Sequence, residues 1–241
     1  MNFLNQFSSG IKIDKSETEK LIIKKMKKIL FAISIIISAK FSFAQVKEGS
    51  ITYNVTMEGL PPEQAAMMDG SEQKTIFKDK KSRIEFTNAF VNTVSVYDGS
   101  KLTMLMDQMG QKTYVEMNDE EMKKKSEKGP KSSIEYKEET KKIAGYDCKK
   151  AIIKSKDDKG EETVMNVWYC ENLPNLTQNS GRGAGGMKDL KGAPLEFEAK
   201  QGPFFMKFTA TEVSTKSVDE SSFKVSTEGY VKRTQTDEGK K

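Results

Sequence analysis

Apolar and polar residues alternate strictly along most of the chain after residue 48. Ile51, Tyr53 and Val55 fall on one face of an extended segment, while Thr52 and Asn54 fall on the other. This period of two is typical of a half-buried β-strand. It returns in later segments that include Ile84/Phe86, Val94/Val96, Leu102/Met104/Met106, Ile134/Tyr136, Leu195/Phe197 and Phe204/Met206/Phe208. The pattern predicts ten or eleven strands in an antiparallel sheet with one apolar and one solvated face.

Two segments interrupt the alternation. Residues 61–68 begin with two prolines and continue with helix-forming residues, which predicts one short helix over the sheet. Residues 172–191 contain closely spaced glycines and are predicted to form a mobile loop that also lies across the apolar face. Between strands, Asp98-Gly99-Ser100 and Met109-Gly110 predict tight turns.

The first 44 residues predict export. A basic region ends at Lys28, an apolar run extends from Ile29 to Ala39, and the small residues Ser42 and Ala44 fit a signal-peptidase site. The apolar run is shorter than the roughly 20 residues that span a bilayer. We therefore expect a signal peptide over 26–44, cleavage after Ala44, and a periplasmic or secreted protein without a stable membrane span. Residues 1–25 are interpreted as an extension from a mis-assigned upstream start codon.

The remaining chain predicts one β-domain over residues 45–230 and a polar, disordered tail over 231–241. Of the 40 basic and 35 acidic residues, eight lysines and three acids lie in residues 1–44, so the remainder is close to neutral. Lysines and glutamates are interspersed there, as between Glu120 and Lys125. Such mixed charge is typical of solvated surface, whereas nucleic-acid binding needs clustered positive charge.

The chain has two cysteines, Cys148 and Cys170. A three-residue hairpin loop that ends at Gly160 places this glycine at the left-handed position and pairs Ala151 with Val167. The same register sets Cys148 opposite Cys170, close enough for a disulfide. In an exported protein we expect this bridge to form. Two reduced, half-buried thiols are the alternative.

Histidine is absent from the chain, which removes histidine-based nucleophilic systems and histidine-containing metal sites. Two cysteines alone cannot build a structural zinc centre. No acidic residue lies in an unusual apolar context that would suit it to acid–base catalysis. The sequence therefore favours a non-enzymatic protein, and it predicts no metal and no other cofactor.

A set of short motifs extends over nearly the whole predicted domain. They are Glu48 to Tyr53, Met57 to Gln64, Ser82 to Glu85, Tyr97-Asp98-Gly99, Lys142 to Ala151, Val167-Trp168-Tyr169 and Phe208 to Val213. Together they resemble the exported bacterial proteins grouped as domain of unknown function 4412, which have no established activity. The resemblance implies an architecture similar to that of the periplasmic lipoprotein carriers: an open, strongly curved antiparallel half-barrel with a short helix or loop over its concave face.

Two functions follow as hypotheses. In the first, the concave face binds a hydrophobic small molecule, a lipid, a lipoprotein or an apolar peptide. In the second, the protein is an envelope structural or interaction protein whose sheet docks a partner protein. The apolar strand positions predict the ligand-lining residues Ile51, Tyr53, Val55, Met57, Leu102, Met104, Met106, Phe204, Met206 and Phe208. The methionines among them suit an adaptable hydrophobic surface.

Overall fold

The computed structural model describes residues 46–59, 61, 68–127, 129, 131–156, 160, 162–177, 186–201 and 204–233. These residues belong to one compact unit. The predicted upstream extension (1–25) and signal peptide (26–44) lie outside the described residues. So does most of the helix predicted at 61–68.

Twelve strands form one open sheet. They are β1 (Glu48–Glu58), β2 (Glu72–Lys78), β3 (Lys81–Thr87), β4 (Val91–Tyr97), β5 (Lys101–Gln108), β6 (Gln111–Asn118), β7 (Lys131–Ile143), β8 (Tyr146–Lys156), β9 (Glu162–Cys170), β10 (Ala193–Gln201), β11 (Phe204–Ser214) and β12 (Val231–Lys232). Their order across the sheet is β12-β6-β5-β4-β3-β2-β1-β11-β10-β9-β8-β7. Because β12 and β7 do not pair with each other, the sheet is not closed into a barrel. The predicted open, mainly β fold is confirmed, with one or two more strands than expected.

The sheet curves around one concave face. A row of inward-facing residues crosses five neighbouring strands in register: Tyr53, Gln73, Phe86, Thr93 and Met106. Strands β2–β5 belong to one arm of the sheet and β8–β11 to the other, yet both arms line the same cavity. The two arms therefore bend toward each other, and the cavity lies between them.

Tight turns fix the hairpins in register. Met109 and Gly110 link β5 to β6 with φ of 52° and 87°, and two successive positive φ values are typical of a type I′ turn. At the β4–β5 turn, Asp98 Oδ1 accepts hydrogen bonds from the backbone N–H groups of Ser100 and Lys101. Both turns lie where the sequence predicts them.

The β8–β9 hairpin also has its predicted register. Ala151 lies opposite Val167, and Gly160 has a positive φ of 85°. This positive φ explains the glycine, because residues with a side chain rarely adopt the left-handed conformation.

The disulfide predicted from this register is not formed. Cys148 and Cys170 are both free, buried thiols. The β8–β9 ladder ends at the pair Lys149 and Tyr169, one residue short of the cysteines, so no strand pairing holds the two thiols face to face. The Cys148 thiol is directed instead at the backbone carbonyl of Tyr146, 3.6 Å from its Sγ. The expectation of a bridge was therefore wrong, although the hairpin that suggested it is present.

The main hydrophobic core fills one arm of the concave face, over β1 and β8–β11. Two segments between β9 and β10 cover it, and their apolar side chains are buried: Leu173, Leu176, Met187 and Leu190. Asn175 Nδ2 donates to the backbone carbonyls of Met187 and Leu190, at 2.8 and 3.0 Å, which ties the two segments together. The described parts of the predicted mobile loop are thus packed cover, and residues 178–185 lie outside the described chain.

A nine-residue helix, α1 (Asp119–Glu127), packs against the other arm. Its Met122 contacts a second, smaller core cluster built on Tyr97, Leu102 and Met117. This cluster fills the concave face near one end of β4–β6. The sequence predicted solvated surface here, so α1 was missed.

Residues 215–233, here called the C-terminal strap, cross the opposite, convex face of the sheet. Phe223 is 5% exposed and lies beside Val96 and Thr103 of β4 and β5. Arg83 Nη1 donates to the backbone carbonyl of Ser222 at 3.3 Å, which holds the strap against β3. The strap therefore buries apolar side chains that the convex face would otherwise expose.

The strap ends in β12, which pairs in parallel with β6 through Val231 and Thr113. The backbone N–H of Arg233 then donates to the carbonyl of Tyr114 at 2.8 Å. The sequence predicts a disordered tail from residue 231, whereas residues 231–233 are ordered by their backbone pairing with β6. Residues 234–241 lie outside the described chain.

Candidate functional site

A cavity of about 810 Å³ lies on the concave face. Strands β1–β5 form one side and β8–β11 the other, while Pro174, Leu176 and Met187 of the cover segments contribute its roof. On β3–β5 its lining residues are those nearest the β3–β4 turn, away from the second core cluster. A volume of this size is within the range of small-molecule sites.

Most of the described lining is apolar. The apolar residues are Ile51, Tyr53, Met57, Met68, Ile84, Phe86, Phe90, Val91, Met106, Met165, Pro174, Leu176, Met187, Ala193, Pro194, Phe197, Met206 and Phe208. Six of them are methionines, whose flexible thioether side chains adapt to irregular ligand shapes.

Three aromatic rings form a rigid part of the apolar lining. Phe197 and Phe208 stack with ring centroids 4.7 Å apart, and Tyr53 meets Phe197 edge-on at 6.2 Å. Tyr53 Oη donates to the backbone carbonyl of Pro194 at 2.9 Å, which satisfies its buried hydroxyl. Burial raises the pKa of Tyr53 above its ordinary value, so the phenol remains neutral near pH 7.

The remaining lining is polar but uncharged. It consists of Gln73, Thr75, Asn88, Thr93, Ser95, Gln108, Ser155, Thr163 and Thr177. Gln73, Thr75, Thr93 and Ser95 lie on β2 and β4, in the arm that faces Phe197 and Phe208 of β10 and β11 across the cavity. These four residues are here called the polar wall. No aspartate, glutamate, lysine or arginine is found among the described residues that line the cavity.

The structure brings six of the ten predicted lining residues to the cavity: Ile51, Tyr53, Met57, Met106, Met206 and Phe208. Val55 lies in the main core, and Leu102 and Met104 belong to the second cluster beside α1. The side chain of Phe204 lies outside the described part. The cavity thus lies closer to the β3–β4 turn than the ten predicted lining residues indicate.

The polar wall is not predicted from the sequence, because the alternation places Val94 and Val96 of β4 on the apolar face of the sheet. Val96 instead faces the convex side and is buried beside Phe223 of the strap, while Thr93 and Ser95 face the cavity. Ser95 lies opposite Ile84 of β3. Because paired residues on neighbouring strands share a face of the sheet, the inward position of Ile84 was the one available signal that Ser95 also faces inward. An alternation gives two faces but does not say which one is concave.

Comparison with protein-family models found no match to this chain. Comparison with curated proteins found no match either. The resemblance described above therefore stays a prediction. Within the described ranges, no helix has the length and apolar character needed to cross a bilayer. Those same ranges contain no cluster of three or more histidine, cysteine or acidic side chains that could hold a metal ion.

Proposed function

We propose that the protein binds a hydrophobic ligand, such as a lipid or the acyl chain of a lipoprotein, in the cavity of its concave face. The observation that carries this proposal is the cavity itself: about 810 Å³ of space lined mainly by apolar side chains. Apolar surface left in contact with water is costly, and a ligand that displaces this water gains the corresponding free energy.

The chain could have filled this space with its own side chains, as it does in the second core cluster. Over the cavity, however, Met57, Met106 and Met206 remain only partly buried. These flexible residues line the same cavity as the rigid rings of Phe197 and Phe208. A wall that is partly rigid and partly adaptable suits ligands with a long, variable hydrocarbon part.

The proposed setting is the bacterial periplasm or the secreted fraction, after removal of residues 1–44. Protein recovered from that fraction is expected to begin at or near Gln45 and to carry lipid in native mass spectrometry. An intact leader would contradict export. A mass without ligand, together with a co-purifying protein, would favour the interaction protein instead.

Binding is tested with the uncharged fluorescent probe N-phenyl-1-naphthylamine and two variants of the β5–β6 hairpin. Met106→Glu places a carboxylate in the cavity wall and is expected to weaken probe binding at least about tenfold. Met109→Glu is the matched control, because Met109 is 79% exposed in the turn of the same hairpin and does not line the cavity. Circular dichroism verifies that both variants fold. Equal probe binding by the folded Met106→Glu and Met109→Glu proteins would refute the proposal.

A further inference from the structure

Three hydroxyl side chains on the polar wall are buried without a protein partner. Thr75 and Thr93 are each 5% exposed and Ser95 is 8% exposed, and all three line the cavity. None of their hydroxyls forms a hydrogen bond with another described residue. Every fully enclosed side-chain nitrogen or oxygen in the described ranges does have a partner. The three hydroxyls therefore reach the cavity space, where their hydrogen-bonding capacity is unused.

The hydroxyls are arranged around an apolar centre. Thr93 and Ser95 lie two residues apart on the same face of β4, a distance of about 6.6 Å along the strand. Ile84 of β3 lies opposite both Ser95 and Thr75, which places Thr75 about 9.6 Å from Ser95 across the sheet. A ligand can thus hydrogen-bond at this wall while its hydrocarbon part still contacts apolar side chains.

The described lining offers no ion-pair partner for a charged group of a ligand. It has no basic or acidic residue, although 31% of the chain is charged. A carboxylate or ammonium group that entered would lose its water without gaining an ion pair, which is costly. A neutral hydroxyl, ester or amide would lose less, because threonine and serine hydroxyls both donate and accept hydrogen bonds.

We infer that the cavity selects uncharged amphiphiles, with the hydroxyl, ester or amide group of the ligand placed against Thr75, Thr93 and Ser95. The hydrocarbon part of the ligand then lies along the opposite wall, against Phe197 and Phe208. This inference rests on the proposed function and narrows it. It makes fatty-acid anions and cationic amphiphiles poor ligands.

Four ligands with the same twelve-carbon chain length test the selection at pH 7.5: dodecan-1-ol, methyl dodecanoate, dodecanoate and dodecyltrimethylammonium. Each competes with N-phenyl-1-naphthylamine, the two neutral ligands below their solubility limits and the two ions below their critical micelle concentrations. The two neutral ligands are expected to displace the probe at concentrations about tenfold lower than the two ions. If dodecanoate is as potent as dodecan-1-ol, the selection is refuted while the proposed function stands. If the probe itself does not bind, the proposed function fails and the inference fails with it.

A pair of threonine variants then locates the selection at the polar wall. Thr93→Val removes one hydroxyl at nearly constant shape and is expected to weaken displacement by dodecan-1-ol roughly two- to tenfold. Thr103→Val is the matched control, since Thr103 is also 5% exposed but lies on the convex face of the adjacent strand. If the two variants bind dodecan-1-ol equally, the assignment to this wall is wrong. Ser95→Ala serves as the second cavity variant if Thr93→Val does not fold.

Discussion

Burial keeps the thiols of Cys148 and Cys170 protonated in the folded protein. Cys148 is fully buried, and its pKa rises to about 12, first because burial removes water from the thiolate and second because Cys170 lies nearby. Burial also raises the pKa of Cys170. Because the thiolate is the reactive form in alkylation and in disulfide exchange, both groups are inert while they are packed in the core.

Thiol labelling is expected to follow unfolding. Without reductant at pH 8, iodoacetamide should label neither cysteine of the native protein, and denaturant alone should expose both. The folded-state pKa of Cys148 is raised, so its stabilising contribution is complete below the unfolded value near 9.0 and is lost as pH rises from there toward 12. Unfolding free energy should therefore fall less between pH 8 and 10.5 in Cys148→Ala than in the unchanged protein. Thiols that appear in denaturant only after reduction would contradict the free state.

At the scale of elements, strands and turns could be predicted because their signals are local. The period of two, the Met109-Gly110 turn and the glycine at position 160 together set the hairpin registers found in the structure. What could not be predicted depends on distant parts of the chain. The strap buries Val96 on the convex side of β4, so the opposite face of this strand is the inward one. The β8–β9 ladder ends one residue before the cysteines, so its register does not pair the two thiols.

The helix α1 was missed although its start carries a recognisable signal. Asn118 Oδ1 accepts from the backbone N–H of Glu121, and Glu121 Oε2 accepts from the backbone N–H of Asn118, each at 2.9 Å. This reciprocal pair is a capping box. Its pattern, an asparagine followed three residues later by a glutamate, is present in the sequence. The three lysines that follow Glu121 are typical of solvated surface, so the sequence does not favour a packed helix here.

Removal of this cap is expected to loosen α1 and the cluster it covers. Asn118→Ala should lower the free energy of unfolding by about 1 kcal/mol, because it leaves a helix N–H without its acceptor. Lys123→Ala is the control, since Lys123 lies on the exposed side of the same helix and alanine has a high helix propensity. Urea denaturation measures both variants. A loss of stability in Lys123→Ala equal to that in Asn118→Ala would show that the cap makes no specific contribution.

On the scale of the whole molecule, an open sheet has two edges that can pair with other chains. The edge strand β7 spans 13 residues, carries lysines and glutamates along its length, and has an irregularity in its pairing between Tyr136 and Thr140. Charges and bulges on an edge strand oppose pairing with another sheet. The other edge is protected differently, because β12 at the end of the strap covers part of β6. The strap thus has two roles: it buries apolar side chains on the convex face and it protects the β6 edge.

Two truncated chains separate these roles of the strap. A chain that ends at Tyr230 keeps Phe223 in place but loses β12, the N–H of Arg233 that bonds Tyr114, and the ion pair between Lys232 and Glu116. We expect it to fold with a loss of only about 1 kcal/mol, because few hydrogen bonds are removed and the ion pair is exposed. Its freed β6 edge should make it self-associate with rising concentration in sedimentation velocity. A chain that ends at Arg233 keeps β12 and should stay monomeric under the same conditions. If both chains stay monomeric, β12 does not protect the edge, and its pairing with β6 contributes only to local stability.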